Sequence, residues 1–276
     1  MSVSPDLLEL SNENSDFWDN LCGSHMAKSL GITDRSERSL KVFDNWYFNY
    51  YPYLEKHIEF QKLKGKNVLE VGLGYGSVSQ KLLESGAIYT GLDIAEGPVD
   101  MVNHRISQSL LSGRAVKGSI LSPTFNQGSF DTVIAIGCLH HTGDLELAIS
   151  NCLDLLKENG QLVMMVYYAY SYRRWRTSFF RTSRYFIDEL TGMRGVVGKA
   201  KAIERSRYDT NLDGQAAPHT DWISKKSMRS ILRNCSPTSV EMHLENMDEG
   251  RIPRKFLINS PISKLVGLDL YVTVKK

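Results

Sequence analysis

Cysteine is scarce in this chain: four in 276 residues, at positions 22, 138, 152 and 235, with no C-x-x-C spacing. Thiols scattered in this way argue against a disulfide framework and a zinc site, and fit a reduced, cytoplasmic setting. Net charge is nearly absent too, at +2, which removes any global electrostatic case for nucleic acid or an acidic partner. There is no run of 18 apolar residues, and the stretch from Met1 to Asn14 is polar and acidic. The expectation is therefore neither a membrane span nor a secretory leader. Internal repeats and low-complexity segments are missing as well. What is present is a 42% hydrophobic content, enough for one α/β domain of ordinary size with elaborations.

The chain is organised around Asn67-Val-Leu-Glu-Val-Gly-Leu-Gly-Tyr-Gly-Ser77. Strand-forming residues run straight into Gly72, Gly74 and Gly76, and a helical segment follows. Strand, glycine turn and helix together present backbone amides and a helix N-terminus to a ligand. Glycine serves there because the turn visits positive φ and a Cβ would block close approach. Dinucleotide sites prefer G-x-G-x-x-G, whereas here the run is Glu70-x-Gly72-x-Gly74-x-Gly76 with Ser77 at the third-glycine place. A carboxylate two residues before the first glycine repels a pyrophosphate but pairs with a cationic ligand. S-adenosylmethionine carries a sulfonium and an ammonium and has no phosphate, so the loop favours a methyl donor over a nicotinamide. Ala87-Ile-Tyr-Thr-Gly-Leu-Asp93 then predicts a second strand whose terminal acid can accept from both ribose hydroxyls.

Strands are expected at 67–71, 88–93, 114–119, 131–136 and 161–167, with helices at 77–85, 97–112 and 144–157. Strict alternation implies a doubly wound, Rossmann-like, mostly parallel sheet with right-handed crossovers. Gly72 to Gly76, Asp93, Ser119 and Gly137 all fall at C-terminal strand ends, where such sheets bind ligands. Before the sheet, Asp16 to Cys22, Ser36 to Ile58 and Tyr53 to Lys62 carry helical spacing and many aromatics. Ser224 is placed to cap a helix through Asn234, and 239–244 and 268–274 have strand character.

These pieces resemble class I S-adenosylmethionine-dependent methyltransferases of the small-molecule type over residues 48 to 168. The resemblance rests on Val68 to Gly76, Gly91-Leu-Asp93, Phe130 to His141 and Leu156 to Val163. It implies a seven-stranded sheet closed by an antiparallel terminal hairpin, with a helical cap. Four parts follow: a cap at 1–62, a donor-binding core at 63–168, a lid or substrate-recognition insertion at 169–235, and terminal strands at 236–276. The three glycines seat the methionine portion of S-adenosyl-L-methionine, Glu70 orients the loop or the ammonium group, and Asp93 holds the ribose. Ile94 and Ile120 flank the adenine, Ser119 stands where the family usually has an acid, and Gly137 leaves room for the methyl. The aromatic stretch before the first strand either packs as a plain cap or closes over the donor through one of Tyr47, Tyr50, Tyr51 and Tyr53, with Tyr50 the candidate. In the loop after the fourth strand, His140 is the expected general base, and His141 a second catalytic candidate pointing elsewhere.

The expected reaction is methyl transfer to an oxygen or nitrogen of a small-molecule acceptor. RNA methylation, nicotinamide-dependent oxidoreduction and donor binding without chemistry remain as alternatives. The first rests on the basic stretch 173–184; the arginine- and aromatic-rich segment 168–186 around it otherwise predicts a helical lid, or a merely solvated amphipathic helix, with Tyr172, Trp175 and Phe179 facing the domain. The loop at 190–222 is expected to cross the mouth of the site, with His219 or Asp213 reaching the substrate.

Overall fold

The computed structural model describes residues 4–21, 23–109, 111–192, 200–248 and 252–276. Cys22 and Leu110, each placed above near a helix end, and 193–199 of the predicted loop lie outside the described residues.

The N-terminal segment is helical: α1 (Pro5–Leu21), α2 (Ser24–Ser29), α3 (Glu37–Tyr50) and α4 (Leu54–Ile58). Helix α3 begins where the Ser36 hydroxyl accepts from Ser39 N, an N-cap that satisfies one free amide. The helix expected over 53–62 stops early because Glu59 turns into the left-handed region (φ 52) and a 3₁₀ turn, Phe60–Leu63, follows. The alternating part comes next: β1 (Asn67–Val71), α5 (Ser77–Glu84), β2 (Ile88–Asp93), α6 (Glu96–Ser109), β3 (Gly113–Lys117), β4 (Phe130–Ile136), α7 (Leu145–Asp154) and β5 (Leu156–Tyr167). Beyond β5 lie α8 (Tyr172–Thr177), α9 (Phe179–Leu190), α10 (Ala202–Arg205) and α11 (Lys225–Arg233). The chain closes with β6 (Ser239–Glu245), α12 (Arg254–Leu257), α13 (Pro261–Val266) and β7 (Asp269–Lys275).

The seven strands form one sheet in the order β3-β2-β1-β4-β5-β7-β6. Strands β1 to β5 run parallel and β7 is antiparallel to both β5 and β6. Strand order reverses between β1 and β4, which opens a crevice at their C-terminal ends. The period of two along each strand builds a core on both faces. Leu69 and Val71 pack with α7 and α11 residues such as Ile149 and Met228. Val68 packs with Leu54, Leu82 and Val102 of α4, α5 and α6. The β5 strand starts earlier than 161, at Leu156, because its register with β4 jumps from Phe130↔Leu156 to Thr132↔Gln161 around Asn159 (φ 62).

The arginine-rich stretch turns out differently from its periodicity. Arg174 is buried at 1% exposure beneath Trp222, 4.5 Å from the ring centroid. Tyr172 and Phe179 are exposed instead. A break at Ser178 (φ −141, ψ 40) between α8 and α9 takes Phe179 off the face of Tyr172 and Trp175, and α8 itself turns Arg174 inward instead.

Candidate active site

A cavity of about 720 Å³ opens at the C-terminal ends of β1, β2 and β4. Gly72, Gly74 and Gly76 all have positive φ (77, 52 and 80). A Cβ on Gly72 would stand 2.4 Å from Cys138 Cβ, one on Gly76 would strike Arg105, and one on Gly74 would meet nothing within 4 Å. The outer two glycines thus let the loop pack, while the middle one leaves the space facing the cavity open.

Alternation along β1 places Glu70 on the α5 face, where its Oε2 accepts from Ser79 Oγ and Tyr89 OH, both at 2.6 Å. Burial pushes its carboxyl up to about 7, against those two bonds. Asp93, at the tip of β2, is held by main chain on both sides: Oδ2 accepts from Leu73 N at 2.7 Å and Oδ1 from Ala95 N at 2.9 Å. Each oxygen keeps a further lone pair, and burial raises the carboxyl above its ordinary range. Leu73 lies inside the glycine loop, so the acid that ends β2 also fixes the turn after β1. Ile94, Gly118, Ser119 and Ile120 line the wall beyond. The Ser119 hydroxyl accepts from Leu121 N at 3.2 Å, ending the strand locally.

At the other end, Leu139–His141 forms a 3₁₀ turn after β4. His141 lines the cavity under Trp18, ring centroids 4.7 Å apart. Its Nδ1 is 2.7 Å from the carbonyl oxygen of His219, which can only accept, so the proton of the neutral ring sits on Nδ1. Nε2 is left bare and without a hydrogen-bond partner, 3.6 Å from Asp209 Oδ2. Tyr167 OH donates to Asp209 Oδ2 at 3.0 Å. Burial keeps the His141 pKa below 6.5, opposed by the nearby Asp209, and raises that of Asp209, opposed by His141. Tyr47, Tyr51 and Tyr208 complete an aromatic surround.

Charged side chains on the described lining are Glu70, Asp93 and Asp209; no lysine or arginine is among them. A pyrophosphate has no cation to meet here, whereas a sulfonium and an ammonium meet carboxylates. The acidic, lysine- and arginine-free lining therefore fits S-adenosylmethionine better than a dinucleotide.

Comparison with known proteins agrees. Residues 69–164 match a family described as a methyltransferase domain. The chain is 37% identical over 108 residues to the ubiquinone biosynthesis O-methyltransferase of Coxiella burnetii, covering 39% of this chain and 46% of that protein. Over residues 69–164 the chain carries a methyltransferase domain. Its fold is similar to that of a SAM-dependent methyltransferase from Methanosarcina mazei (TM-score 0.55, 16% identical, 82% of this chain and 97% of that one). A second such structure, from Mesorhizobium loti, has a TM-score of 0.54 at 14% identity, over 82% of this chain and 97% of that one. The chain spans about half the length of the curated relatives it matches, 46% and 41% for two of them.

Three expected site residues lie outside the cavity lining: His140, Tyr50 and Gly76, whose Cβ position faces Arg105 and Val102 instead. His140 is fully buried beneath it, its ring 4.1 Å from that of Tyr167, so the cavity-facing histidine is His141. The expected divergence of the two side chains is not seen: within the 3₁₀ turn their rings pack together, centroids 4.2 Å apart, with His141 on the cavity side. Tyr50 turns away to pack under the Arg254 guanidinium, 3.8 Å above its ring, and Tyr47 and Tyr51 take the lining positions. The long loop contributes Tyr208, Asp209 and Thr210, not Asp213, which is exposed; His219 enters through its carbonyl. Trp18, His25 and Met26 of α1 and α2 also line the site, and spacing in the sequence carries no signal for them. No group of three metal-binding side chains occurs among the described residues, nor a helix long and apolar enough to cross a membrane.

Proposed function

We propose that the protein transfers the methyl of S-adenosylmethionine to a hydroxyl oxygen of a small aromatic acceptor, with His141 as general base. The observation that carries this is a cavity-lining histidine, His141, whose unpartnered Nε2 lies 3.6 Å from the cavity-lining Asp209. Both residues line the cavity, so an acceptor O–H brought to that wall meets a basic nitrogen with a carboxylate beside it. The donor brings an electrophilic methyl on a positively charged sulfur; the acceptor oxygen takes the methyl as the sulfur keeps the bonding pair. His141 Nε2 takes the hydroxyl proton, and the His219 carbonyl holds the ring in the tautomer that can do so. Asp209, steadied by Tyr167, stabilises the resulting imidazolium. Trp18, Tyr47, Tyr51 and Tyr208 offer flat apolar walls to an aromatic ring. Alignment of acceptor and methyl supplies about 7–11 kcal/mol of the barrier, and the base about 10²–10⁴-fold. That a matched relative is named for O-methylation supports oxygen over nitrogen. The acidic lining weighs against RNA and against a dinucleotide.

The test is methyl transfer from radiolabelled S-adenosylmethionine to a panel of phenols and catechols. His141→Ala should lower kcat by about 10²–10⁴-fold, and His140→Phe should leave it near the wild-type value. The rate should fall on acidification only below pH 6.5, because burial depresses the His141 pKa. Full turnover by His141→Ala would remove the base.

A further inference from the structure

The chemistry above uses nothing on the underside of the glycine loop, yet a buried charged cluster lies there. The Arg105 side chain of α6 is 1% exposed. Its Nε donates to the carbonyl of Tyr75, within the loop, at 3.0 Å. Nη1 and Nη2 donate to the two carboxylate oxygens of Asp44 at 2.8 and 2.9 Å. Asp44 sits on α3 and also accepts from Ser77 Oγ, at the first turn of α5, at 2.6 Å. The absent Cβ of Gly76 is what lets Arg105 reach the loop, for it would stand 2.9 Å from Arg105 Cδ.

Helix α3 does a second job on its other side. Phe43, Trp46 and Tyr47 form part of the cavity wall, and Phe43 packs on Tyr75 of the loop, ring centroids 4.1 Å apart and tilted by 31°. One rigid helix therefore carries both a wall of the donor cavity and the carboxylate that grips the loop from behind. A bidentate pair this buried has a fixed geometry and is costly to break from one side.

We propose that Asp44, Arg105 and Ser77 are positioning residues that form a latch between the N-terminal cap and the donor loop, so that seating the donor and closing the cap are one coupled event. This rests on the donor assignment made above. Withdrawing α3 takes the carboxylate from Arg105 and Ser77 together, which frees the Tyr75 carbonyl and the start of α5 to turn. Conversely, a ligand that orders loop 72–77 favours the position of α3 in which Asp44 is engaged.

The experiment is calorimetric titration of the full chain with S-adenosylhomocysteine, with hydrogen exchange along residues 37–50 followed in its absence and presence. In the wild type the ligand should bind and slow exchange in α3. Asp44→Asn should bind about 5- to 150-fold more weakly, the usual span of a coupling between sites, and lose the ligand-dependent slowing. A purely structural role would lower the ligand-free melting temperature but leave that slowing intact. Should Asp44→Asn fail to fold, Ser77→Ala, which removes one bond and no charge, carries the test in the same direction. A folded variant with wild-type affinity and wild-type slowing overturns the latch alone. Absence of binding to the wild type overturns the donor assignment and the latch with it.

Discussion

Replacing Asp93 by asparagine probes the point where the fold and the proposed ribose contact would share one side chain. The carboxylate is 8% exposed, and its two oxygens accept from Leu73 N and Ala95 N at 2.7 and 2.9 Å. An amide has one acceptor oxygen, so in either orientation its NH₂ faces a main-chain N–H. That leaves one buried donor unsatisfied, a cost of about 1–3 kcal/mol in stability. Toward the cavity, two charge-assisted bonds to ribose hydroxyls become one neutral bond and one donor. The loss there is about 1.5–3 kcal/mol, or roughly 10- to 150-fold in affinity. Calorimetry with S-adenosylhomocysteine reads the second quantity and denaturant unfolding the first. Unchanged affinity with lowered stability would refute the ribose role and leave only the tie to the loop; no change in either would refute both.

Two further substitutions separate loop geometry from loop chemistry. Gly72→Ala forces a side chain into positive φ and against Cys138 Cβ at 2.4 Å, and should lower both melting temperature and donor affinity, the strained backbone alone costing about 1–3 kcal/mol. Gly74→Ala meets no atom within 4 Å, so it should lower affinity with a much smaller fall in melting temperature; equal losses in the two variants would contradict this. Glu70→Gln keeps an oxygen for Ser79 and Tyr89 and removes a titration. Because burial raises the folded carboxyl from 4.5 to about 7, its stabilising contribution is full below pH 4.5 and is lost as pH rises through 7. The variant should therefore gain about 2–3 kcal/mol on the wild type between pH 5 and pH 8, measured by denaturant midpoints; a difference that stays constant with pH would contradict it.

The parts of this molecule that were legible in the sequence are those whose physics is local. The glycine run, the acid at the tip of β2 and the alternation of strand and helix each depend on residues close together in the chain, while the seven-stranded closure by a terminal hairpin is what the family resemblance implied. What was not legible depends on where distant segments meet. His140 and His141 are adjacent, and a 3₁₀ turn decided which one faces the cavity. Asp209 stands alone in a polar stretch, and it matters only because the segment bearing His219 also folds back onto His141. Tyr50 looked as suitable as Tyr47 or Tyr51 until Arg254, some two hundred residues on, claimed its ring. The helical spacing of Tyr172, Trp175 and Phe179 was real but crossed a helix break at Ser178. Arg174, a residue type that normally favours the surface, went inside under Trp222.

The central claim is that an acid-lined cavity behind the glycine loop holds a cationic, phosphate-free methyl donor. Titrating the protein in parallel with S-adenosylhomocysteine and with NAD tests it most directly. The account predicts saturable single-site binding of the first and no detectable heat from the second, since no lysine or arginine stands on the described lining to receive a pyrophosphate. Binding of NAD with none of S-adenosylhomocysteine would contradict it.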